Sequence, residues 1–330
     1  MAYDGKILRQ ALYRFDRDRQ ERERRLQERR ESVFRRQPRL REIDRELRGT
    51  MSRVIAQALH RGADPQAAIA ALKEENLALQ EERRTLLREL GLPEDCLEEK
   101  PACPLCGDTG YRGGGMCRCL RQYCAREQQR ELSRMLDLGG QSFDTFSLEW
   151  YSEECDPALG ISARENMDWV CQRCKRYAET FGPGSGSLLL TGSPGLGKTF
   201  LSAAIAREVS GEGWSVVYDT AVSVFRRMEE RKFGRETDED GDEDRLFGCD
   251  LLILDDLGTE LTTSFVQSAL YQIVNGRLLE HRSVVLSTNL RLEELAHRYG
   301  PQIASRIEGE YQILPFFGED IRKLKKERGL

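Results

Sequence analysis

The sequence of 330 residues contains no long hydrophobic run. No uninterrupted apolar stretch approaches the roughly 18 residues that a membrane-spanning helix needs. The first ten residues, MAYDGKILRQ, also lack the apolar segment of a secretion signal. We therefore expect a cytoplasmic protein with no membrane partner. Because 32% of the residues are charged, at least one segment should be strongly solvated.

The sequence also has no excess of positive charge. Its 51 Lys and Arg residues are outnumbered by 56 Asp and Glu residues, which gives a formal net charge of -5. This balance excludes a globally basic nucleic-acid binder, so any DNA contact must come from a local patch. Ten cysteines in a reducing compartment do not predict a disulfide framework, and clustered cysteines are first considered as metal ligands.

What the sequence does contain is a phosphate-binding loop between an apolar run (residues 187–190) and a helix-like stretch (residues 200–210). The loop comprises Gly192, Ser193, Pro194, Gly195, Leu196, Gly197, Lys198 and Thr199. In such a loop, backbone N–H groups face the phosphates of ATP, the lysine reaches the β- and γ-phosphates, and the threonine binds Mg²⁺. A chance glycine-rich turn is the alternative, and the flanking strand and helix argue against it.

Two further polar sites follow apolar strands. Residues 251–256 read LLILDD, so Asp255 is placed to bind the Mg²⁺ shell and Asp256 to orient or deprotonate the attacking water. Asn289 follows the apolar segment VVLST and is placed to sense the γ-phosphate. The alternatives are a core strand with an acidic turn and an ordinary turn asparagine.

Residues 1–95 form a charged helical region. The first 35 residues alternate in charge sign, which is typical of a solvated helix or a disordered arm, with a DNA-binding arm as the alternative. Apolar residues then recur at helical spacing in two segments that are separated by RGADP (residues 61–65). The stripe consists of Leu40, Ile43, Leu47, Met51, Val54 and Ala58, then Ile69, Leu72, Leu79, Leu86 and Leu90. This pattern predicts a helical hairpin, either a spacer or a surface that docks a partner.

A cysteine-rich module is expected at residues 96–125, followed by a helical linker at residues 126–140. Two cysteine pairs, Cys103 with Cys106 and Cys117 with Cys119, are separated by ten glycine-rich residues. Four thiolates can close a tetrahedral zinc site. Unligated thiols and a redox pair are the alternatives. Cys171 and Cys174 have no second pair, and we interpret them as ordinary cysteines.

From residue 141 to residue 330, strand-like and helix-like segments alternate, which predicts an α/β domain with a mostly parallel sheet. The predicted strands are residues 187–190, 215–218, 251–254, 284–287 and 311–314. The predicted helices are residues 198–210, 221–232, 263–279 and 292–299. An acidic insert at residues 236–244 lacks the ligand order of a Ca²⁺ loop and is interpreted as a solvated loop.

These motifs resemble the DnaC/DnaI helicase-loader branch of the AAA+ ATPases, which also includes the IstB-type transposition ATPases. The phosphate-binding loop, LLILDD, STN, SRI (residues 305–307) and GEDIR (residues 318–322) carry the resemblance over residues 141–330. Upstream, LGLPEDCL, CPLCGDTGY and CRCL resemble the zinc-bearing amino-terminal region of the Firmicutes-type loaders. This second likeness favours a loader, because the transposition ATPases are similar only in the ATPase half.

The resemblance implies a role for each matching residue. Residues 192–199 would form Walker A, Asp255 and Asp256 Walker B, and Asn289 sensor 1. Arg306 would act as an arginine finger on the ATP of a neighbouring subunit, with a surface salt bridge as the alternative. Arg322 would contact nucleotide in its own subunit. The chain has Asp256 where many AAA+ members have glutamate.

The implied function is an ATP-dependent loader that places a hexameric, DnaB-type replicative DNA helicase on single-stranded DNA. It would self-associate through its ATP sites and hydrolyse ATP slowly, with stimulation by assembly or DNA. Its cofactors would be ATP, Mg²⁺ and Zn²⁺. The basic run at residues 322–328 is either a single-strand contact or a solvated tail. The alternatives are an ATPase that assists a transposase or phage replisome, and a non-catalytic zinc adaptor that holds ATP.

Overall fold

The computed structural model describes residues 3–59, 65–135, 141–234 and 242–329. The chain forms two compact units, one of Phe15–Thr109 and one of Met1–Arg14 together with Gly110–Leu330. Within the described ranges, no helix combines the length and the apolar composition that a bilayer span requires.

The unit of Phe15–Thr109 is helical. Its helices are α1 (Gly5–Arg36), which begins in the other unit, α2 (Pro38–Leu59) and α3 (Pro65–Glu89). Helices α2 and α3 pack against each other, so the predicted helical hairpin is confirmed. Its buried apolar residues are Leu40, Ile43, Leu72, Leu79 and Leu87. Leu87 is fully buried although the predicted stripe passes through its neighbour Leu86, which is only partly buried.

Parts of the predicted hairpin lie outside the described residues. Residues 60–64, which include most of the RGADP break, are among them, and so are the side chains of Met51, Val54, Ala58 and Ile69. Two polar contacts join the helices where side chains are described. The Thr50 hydroxyl donates to Asn76 Oδ1 at 2.8 Å, and Arg39 makes bonds of 2.8 and 3.1 Å to both carboxylate oxygens of Glu82. These bonds define how α2 and α3 pair.

The larger unit contains a five-stranded parallel sheet. Two short strands, β1 (Tyr111–Arg112) and β2 (Gly115–Met116), precede this sheet in the chain. The strands of the sheet are β3 (Ser187–Gly192), β4 (Val216–Thr220), β5 (Leu251–Leu257), β6 (Ser283–Thr288) and β7 (Tyr311–Phe316). They pair in the order β4-β5-β6-β3-β7, with every neighbour parallel. One strand, β6, therefore lies between β5, which carries the two aspartates, and β3, which leads into the phosphate-binding loop. The predicted α/β fold class, a parallel sheet flanked by helices, is confirmed.

Helices cover both faces of the sheet, and a separate cluster of apolar side chains is buried between the sheet and the helices on each face. They are α5 (Ala163–Glu179), α6 (Lys198–Gly211), α7 (Ala221–Lys232), α8 (Asp242–Gly248), α9 (Ser264–Leu279), α10 (Leu292–Tyr299), α11 (Pro301–Glu310) and α12 (Ile321–Glu327). Helices α7 and α10 have their predicted bounds. Helix α11 was not predicted, since Gly300-Pro301 also marks a helix end, whereas here the proline begins a helix. Of the acidic insert, residues 236–241 lie outside the described residues.

Helix α4 (Arg118–Met135) and the first residues of the chain pack in this same unit. Gln128 is 2% exposed, and its side chain donates at 3.0 Å to the Val216 carbonyl of the edge strand β4. Cys124 is buried with Ile7 and Ala11 of α1. The predicted linker is therefore helical as far as residue 135, and its packing covers a sheet edge that would otherwise offer free backbone groups. The last residues of the predicted linker, 136–140, lie outside the described residues.

Candidate nucleotide and metal sites

The phosphate-binding loop joins the end of β3 to the first residue of α6, Lys198. Its path needs glycine at two places. A Cβ on Gly192 would lie 2.1 Å from the Phe316 carbonyl oxygen, and a Cβ on Gly195 would lie 1.9 Å from Asp320 Oδ1. Gly195 also has a φ of 79°, which side chains disfavour. The loop is therefore packed tightly against the segment that follows β7.

Lys198 is held at the centre of the loop. Its side chain is 5% exposed, and Nζ donates to Gly192 O at 2.7 Å, Ser193 O at 2.8 Å and Asn289 Oδ1 at 2.6 Å. Burial lowers the pKa of the Lys198 ammonium to about 8, Asp256 and Asp255 oppose the shift, and Arg322 adds to it. A bound phosphate group would therefore stabilise the charged form of Lys198.

Asp255 is buried at the carboxyl end of β5. The Tyr218 hydroxyl of β4 donates to its Oδ2 at 2.7 Å, and the Ser287 hydroxyl of β6 donates to its Oδ1. Burial, followed by the charge of Asp255, raises the pKa of Tyr218, so this phenol stays protonated as a donor. The two neighbouring strands fix the orientation of the Asp255 carboxylate. The sequence alone did not indicate Tyr218 or Ser287, because nothing marks residues on separate strands as partners.

Asp256 is half-buried and has a φ of 54°, in the left-handed region. Its backbone N–H donates to Ser287 Oγ at 3.0 Å, so one hydroxyl contacts both aspartates. Burial, followed by the charge of Asp255, raises the pKa of the Asp256 carboxyl, while Lys198 and Arg322 lower it. A carboxylate with a raised pKa is a better proton acceptor for a water molecule.

These groups meet in a cavity of about 380 Å³. Its lining includes Gly195, Lys198, Thr199, Asp256, Asn289 and Arg322. The structure therefore brings together Pro194, Gly195, Gly197, Lys198 and Thr199 of the loop, one of the two aspartates, Asn289 and Arg322. Asp255 lies behind them, bound to its two hydroxyl donors. The predicted loop residue Leu196 is buried in the apolar core instead.

One side of the cavity is an aromatic wall that the sequence patterns did not predict. It is formed by Phe146, Trp150 and Tyr151, which precede α5. The Tyr151 hydroxyl donates to Leu196 O at 2.9 Å, and the Phe146 ring centroid lies 5.5 Å from that of Phe200. A wall of this kind fits a planar base beside the phosphate-binding loop. Three aromatic residues within six positions were the signal available in the sequence.

The basic run at residues 322–328 is interpreted from the sequence as a single-strand contact or a solvated tail. The structure shows a different set of contacts for it. Lys325 Nζ lies 5.4 Å and Arg328 Cζ lies 4.8 Å from the Trp150 ring centroid. Both distances are within the range of cation–π attraction. Lys325 also lines the cavity. Helix α12 is therefore attached to the aromatic wall by two cations.

Arg306 lies elsewhere. It is half-buried on α11, where its guanidinium carbon is 5.6 Å from the Tyr271 ring centroid, and it is not among the described residues that line the cavity. The structure therefore does not bring Arg306 together with Lys198 and Asp256 of its own chain. A role for Arg306 in ATP chemistry requires a second subunit.

The four predicted metal ligands lie close together. The sulfur atoms of Cys103, Cys106, Cys117 and Cys119 are all within 4.8 Å of one another. The two pairs are joined by a short antiparallel hairpin of β1 (Tyr111–Arg112) and β2 (Gly115–Met116). This all-thiol set, in a local segment of 17 residues, fits a tetrahedral zinc ion. Cys171 and Cys174 are buried in the apolar core instead.

We predict that ATP binding weakens at alkaline pH. The pKa of Lys198 is about 8 before nucleotide binds, and a bound phosphate stabilises the ammonium, so binding above pH 8 takes up a proton. The dissociation constant should rise by up to about tenfold per pH unit above pH 8. Calorimetry at saturating Mg²⁺, in buffers of different ionisation enthalpy, measures both quantities. A constant affinity from pH 7 to pH 9 without proton uptake would contradict this.

We also predict that the purified protein contains about one zinc ion per chain, as expected for a four-thiolate site. The double variant Cys103→Ser/Cys117→Ser should lose this zinc, because each pair then has a single thiolate. Elemental analysis of the gel-filtered protein gives the ratio. The exposed Cys155 provides the control, since Cys155→Ser should keep its zinc. Full zinc content in the double variant would rule out the four-cysteine site.

Comparison with known families gives one matching profile, described as IstB-like ATP binding protein, over residues 180–327. This range contains the whole phosphate-binding loop, both aspartates, Asn289, Arg306 and Arg322. The match supports ATP binding at the cavity.

Among curated proteins, the chain is 27% identical over 161 residues to the replicative helicase loader DnaC of Escherichia coli K12, covering 49% of this chain and 62% of that protein. It is 29% identical over 160 residues to DnaC of Buchnera aphidicola from Acyrthosiphon pisum, covering 48% and 65%. The chain thus spans less than two thirds of the length of these relatives. The resemblance to DnaC-type loaders that the motifs indicated is confirmed.

A solved structure titled as the DnaC helicase loader aligns with a TM-score of 0.45 and 20% identity, over 55% of this chain and 99% of that one. One titled as DnaI aligns with a TM-score of 0.44 and 24% identity, over 58% and 93%.

Proposed function

We propose that this chain, with its IstB-like ATP-binding domain, is an ATP-dependent loader that places a hexameric, DnaB-type replicative helicase on single-stranded DNA during initiation or restart of replication. The observation that carries the proposal is its 27% identity to DnaC loaders over 161 residues. A cavity that unites Lys198, Asp256 and Asn289 supports the dependence on ATP. The cytoplasmic location expected from the sequence stays a prediction.

In the proposed hydrolysis of ATP, the side chains at this cavity have separate roles. Lys198 and the loop N–H groups hold the triphosphate, and Thr199 and Asp255 hold the Mg²⁺ shell. Asp256 orients the water and accepts its proton, for which its raised pKa suits it. Asn289, which now bonds to Lys198, would turn towards the γ-phosphate. When bound, Mg²⁺ would supply positive charge that neutralises the phosphate groups.

Self-association completes the site. Arg306 does not line the cavity of its own chain, so we propose that it reaches the ATP of a neighbouring subunit, where a guanidinium would stabilise the charge of the transferring phosphoryl group. ATP then favours the assembled state because its γ-phosphate contacts both subunits, and hydrolysis removes that contact. Assembly should therefore stimulate a slow basal rate.

The helical unit and the cysteine module are the proposed contacts for the helicase. The hairpin of α2 and α3 presents charged side chains to solvent, and zinc would fix the local turn of the cysteine segment. Single-stranded DNA would contact the ATPase assembly through a local cationic patch, as the net charge of -5 requires.

A loading assay tests this function. The full chain is incubated with the replicative helicase of the same organism, ATP and closed circular single-stranded DNA, and helicase retained on the circle is measured after gel filtration. We expect retention to require both the loader and ATP. The control is Lys198→Ala, which should leave retention at the helicase-only level. Equal retention without the chain would contradict the proposal.

A second candidate is an ATPase that assists a transposase or a phage replisome. The observation that favours it is the IstB-like profile match itself. If the chain fails to load helicase but copurifies with a transposase or phage replication protein encoded beside it, this candidate replaces the loader.

A further inference from the structure

Glu260 is a buried carboxylate with no part in the chemistry described above. It is 7% exposed and lies four residues beyond Asp256, in the loop between β5 and α9. Its Oε2 accepts from the Gly258 backbone N–H at 3.0 Å, and its Oε1 accepts from the Tyr299 hydroxyl. A buried carboxylate is costly unless its partners are fixed, so both contacts should be maintained in the folded protein.

The first contact connects Glu260 to the hydrolytic edge of the cavity. The Asp256 carbonyl accepts from the Thr259 N–H at 3.3 Å and from the Thr259 hydroxyl at 2.8 Å, which closes a turn. Gly258 lies inside this turn with a φ of 106°, and a Cβ there would be 2.7 Å from Leu290, the residue after Asn289. A shift of Asp256 or Asn289 therefore moves the turn that Glu260 holds.

The second contact connects Glu260 to the helix of Arg306. Tyr299 is the last residue of α10, and only Gly300 separates it from α11. Burial, followed by its bond to Glu260, raises the pKa of the Tyr299 phenol, which keeps its proton for Glu260. The Arg298 guanidinium also donates to the Glu260 carbonyl. The side-chain carboxylate and the backbone carbonyl of Glu260 therefore both accept hydrogen bonds from the end of α10, directly before α11 begins.

We propose that Glu260 is a positioning residue that links the hydrolytic carboxylates of one subunit to the Arg306 that the same subunit presents to its neighbour. The link is the hydrogen-bonded path from the turn after Asp256, through the Glu260 carboxylate, to Tyr299 and α11. This inference rests on the proposed action of Arg306 in a neighbouring subunit. In the assembled protein, the hydrogen-bonded structure around the hydrolytic carboxylates of each subunit would thereby position the arginine that completes the next site, whether or not that subunit holds nucleotide.

Complementation between two inactive full-length variants tests the link. Arg306→Ala binds ATP but lacks the finger, and Lys198→Ala lacks nucleotide but keeps Arg306, so their mixture should recover ATP hydrolysis. Glu260→Gln is then added to either partner. The amide keeps the size of the side chain but offers a single oxygen to two donors, Gly258 and Tyr299.

We expect the position of the added variant to decide the outcome. With Glu260→Gln in the Lys198→Ala partner, which donates the finger, the recovered rate should fall about tenfold, within the usual range of coupling between sites. With Glu260→Gln in the Arg306→Ala partner, the recovered rate should be retained. Tyr299→Phe should behave in the same way. Glu293→Gln removes the same negative charge at an exposed position of α10, and it should have no effect in either partner.

Each other outcome overturns the inference for a separate reason. Loss of rate only when Glu260→Gln is in the Arg306→Ala partner would show that Glu260 supports its own ATP site. Loss in both positions, or in neither, would show a general structural role or none. If the unmodified pair does not complement, Arg306 does not act on a neighbour, and the inference falls together with that part of the proposed function.

Discussion

Replacing Lys198 with alanine should raise the dissociation constant for ATP by about 100-fold, because a buried charge-assisted contact to phosphate is lost. The structure adds a second reason. Lys198, together with Arg322, partly offsets the charge of Asp256, so without Lys198 the triphosphate meets a more negative cavity. A fluorescent ATP analogue in an equilibrium titration gives the affinity.

Two further variants make the Lys198 result specific. Lys323→Ala removes an exposed lysine of α12 that does not line the cavity, and it should bind ATP as the unmodified chain does. Lys198→Arg keeps the charge but lacks space beside Gly192, Ser193 and Asn289, so it should also bind weakly. If Lys198→Ala bound ATP within about twofold of the unmodified chain, the phosphate-binding role would be wrong, since one lost ionic hydrogen bond alone should exceed that.

Replacing Asp256 with asparagine should lower the rate of ATP hydrolysis by about 10²- to 10⁴-fold, the usual contribution of a positioned proton acceptor. ATP affinity should stay within about twofold, because the phosphate contacts of the loop and Lys198 remain. Asparagine also tolerates the left-handed backbone at this position, where φ is 54°, so the variant should fold normally. Phosphate release under saturating ATP measures the rate, and a binding titration measures the affinity.

The matched control for Asp256 is Asp168→Asn, which makes the same chemical change at an exposed position on α5. It should hydrolyse ATP normally. A full rate in Asp256→Asn would exclude this carboxylate as the base. A loss of both binding and rate would indicate that Asp256 holds Mg²⁺ together with Asp255.

Local sequence signals predicted the centre of the fold well. Strands β3, β5 and β6 are largely apolar and buried, and the residues with chemistry lie at or beyond their carboxyl ends, namely Lys198, Asp255 and Asn289. The carboxyl ends of neighbouring parallel strands meet at one edge, so strand position alone predicted that these side chains would converge. Arg322, which the family resemblance implied as a nucleotide contact, lines the cavity, and the contact itself stays a prediction.

Contacts between distant segments were not predictable in this way. Tyr218 and Ser287 bind Asp255 from two other strands, and Glu260 binds Tyr299 across 39 positions of the chain. Each of these residues has an ordinary local pattern, and only the tertiary pairing shows its role. The aromatic wall is similar, because Phe146, Trp150 and Tyr151 lie in short turns without helical or strand periodicity.

The most direct test of the loader account is light scattering on gel-filtered mixtures of the full chain with the replicative helicase of the same organism, with and without ATP. The full chain is used because residues of α1 and α4 pack in the unit of the ATPase sheet, so a truncated chain would expose a buried surface. We predict a stable complex whose mass corresponds to a helicase hexamer with several bound chains, and whose stoichiometry changes with ATP. Separate elution of the two proteins, with and without ATP, would contradict the account.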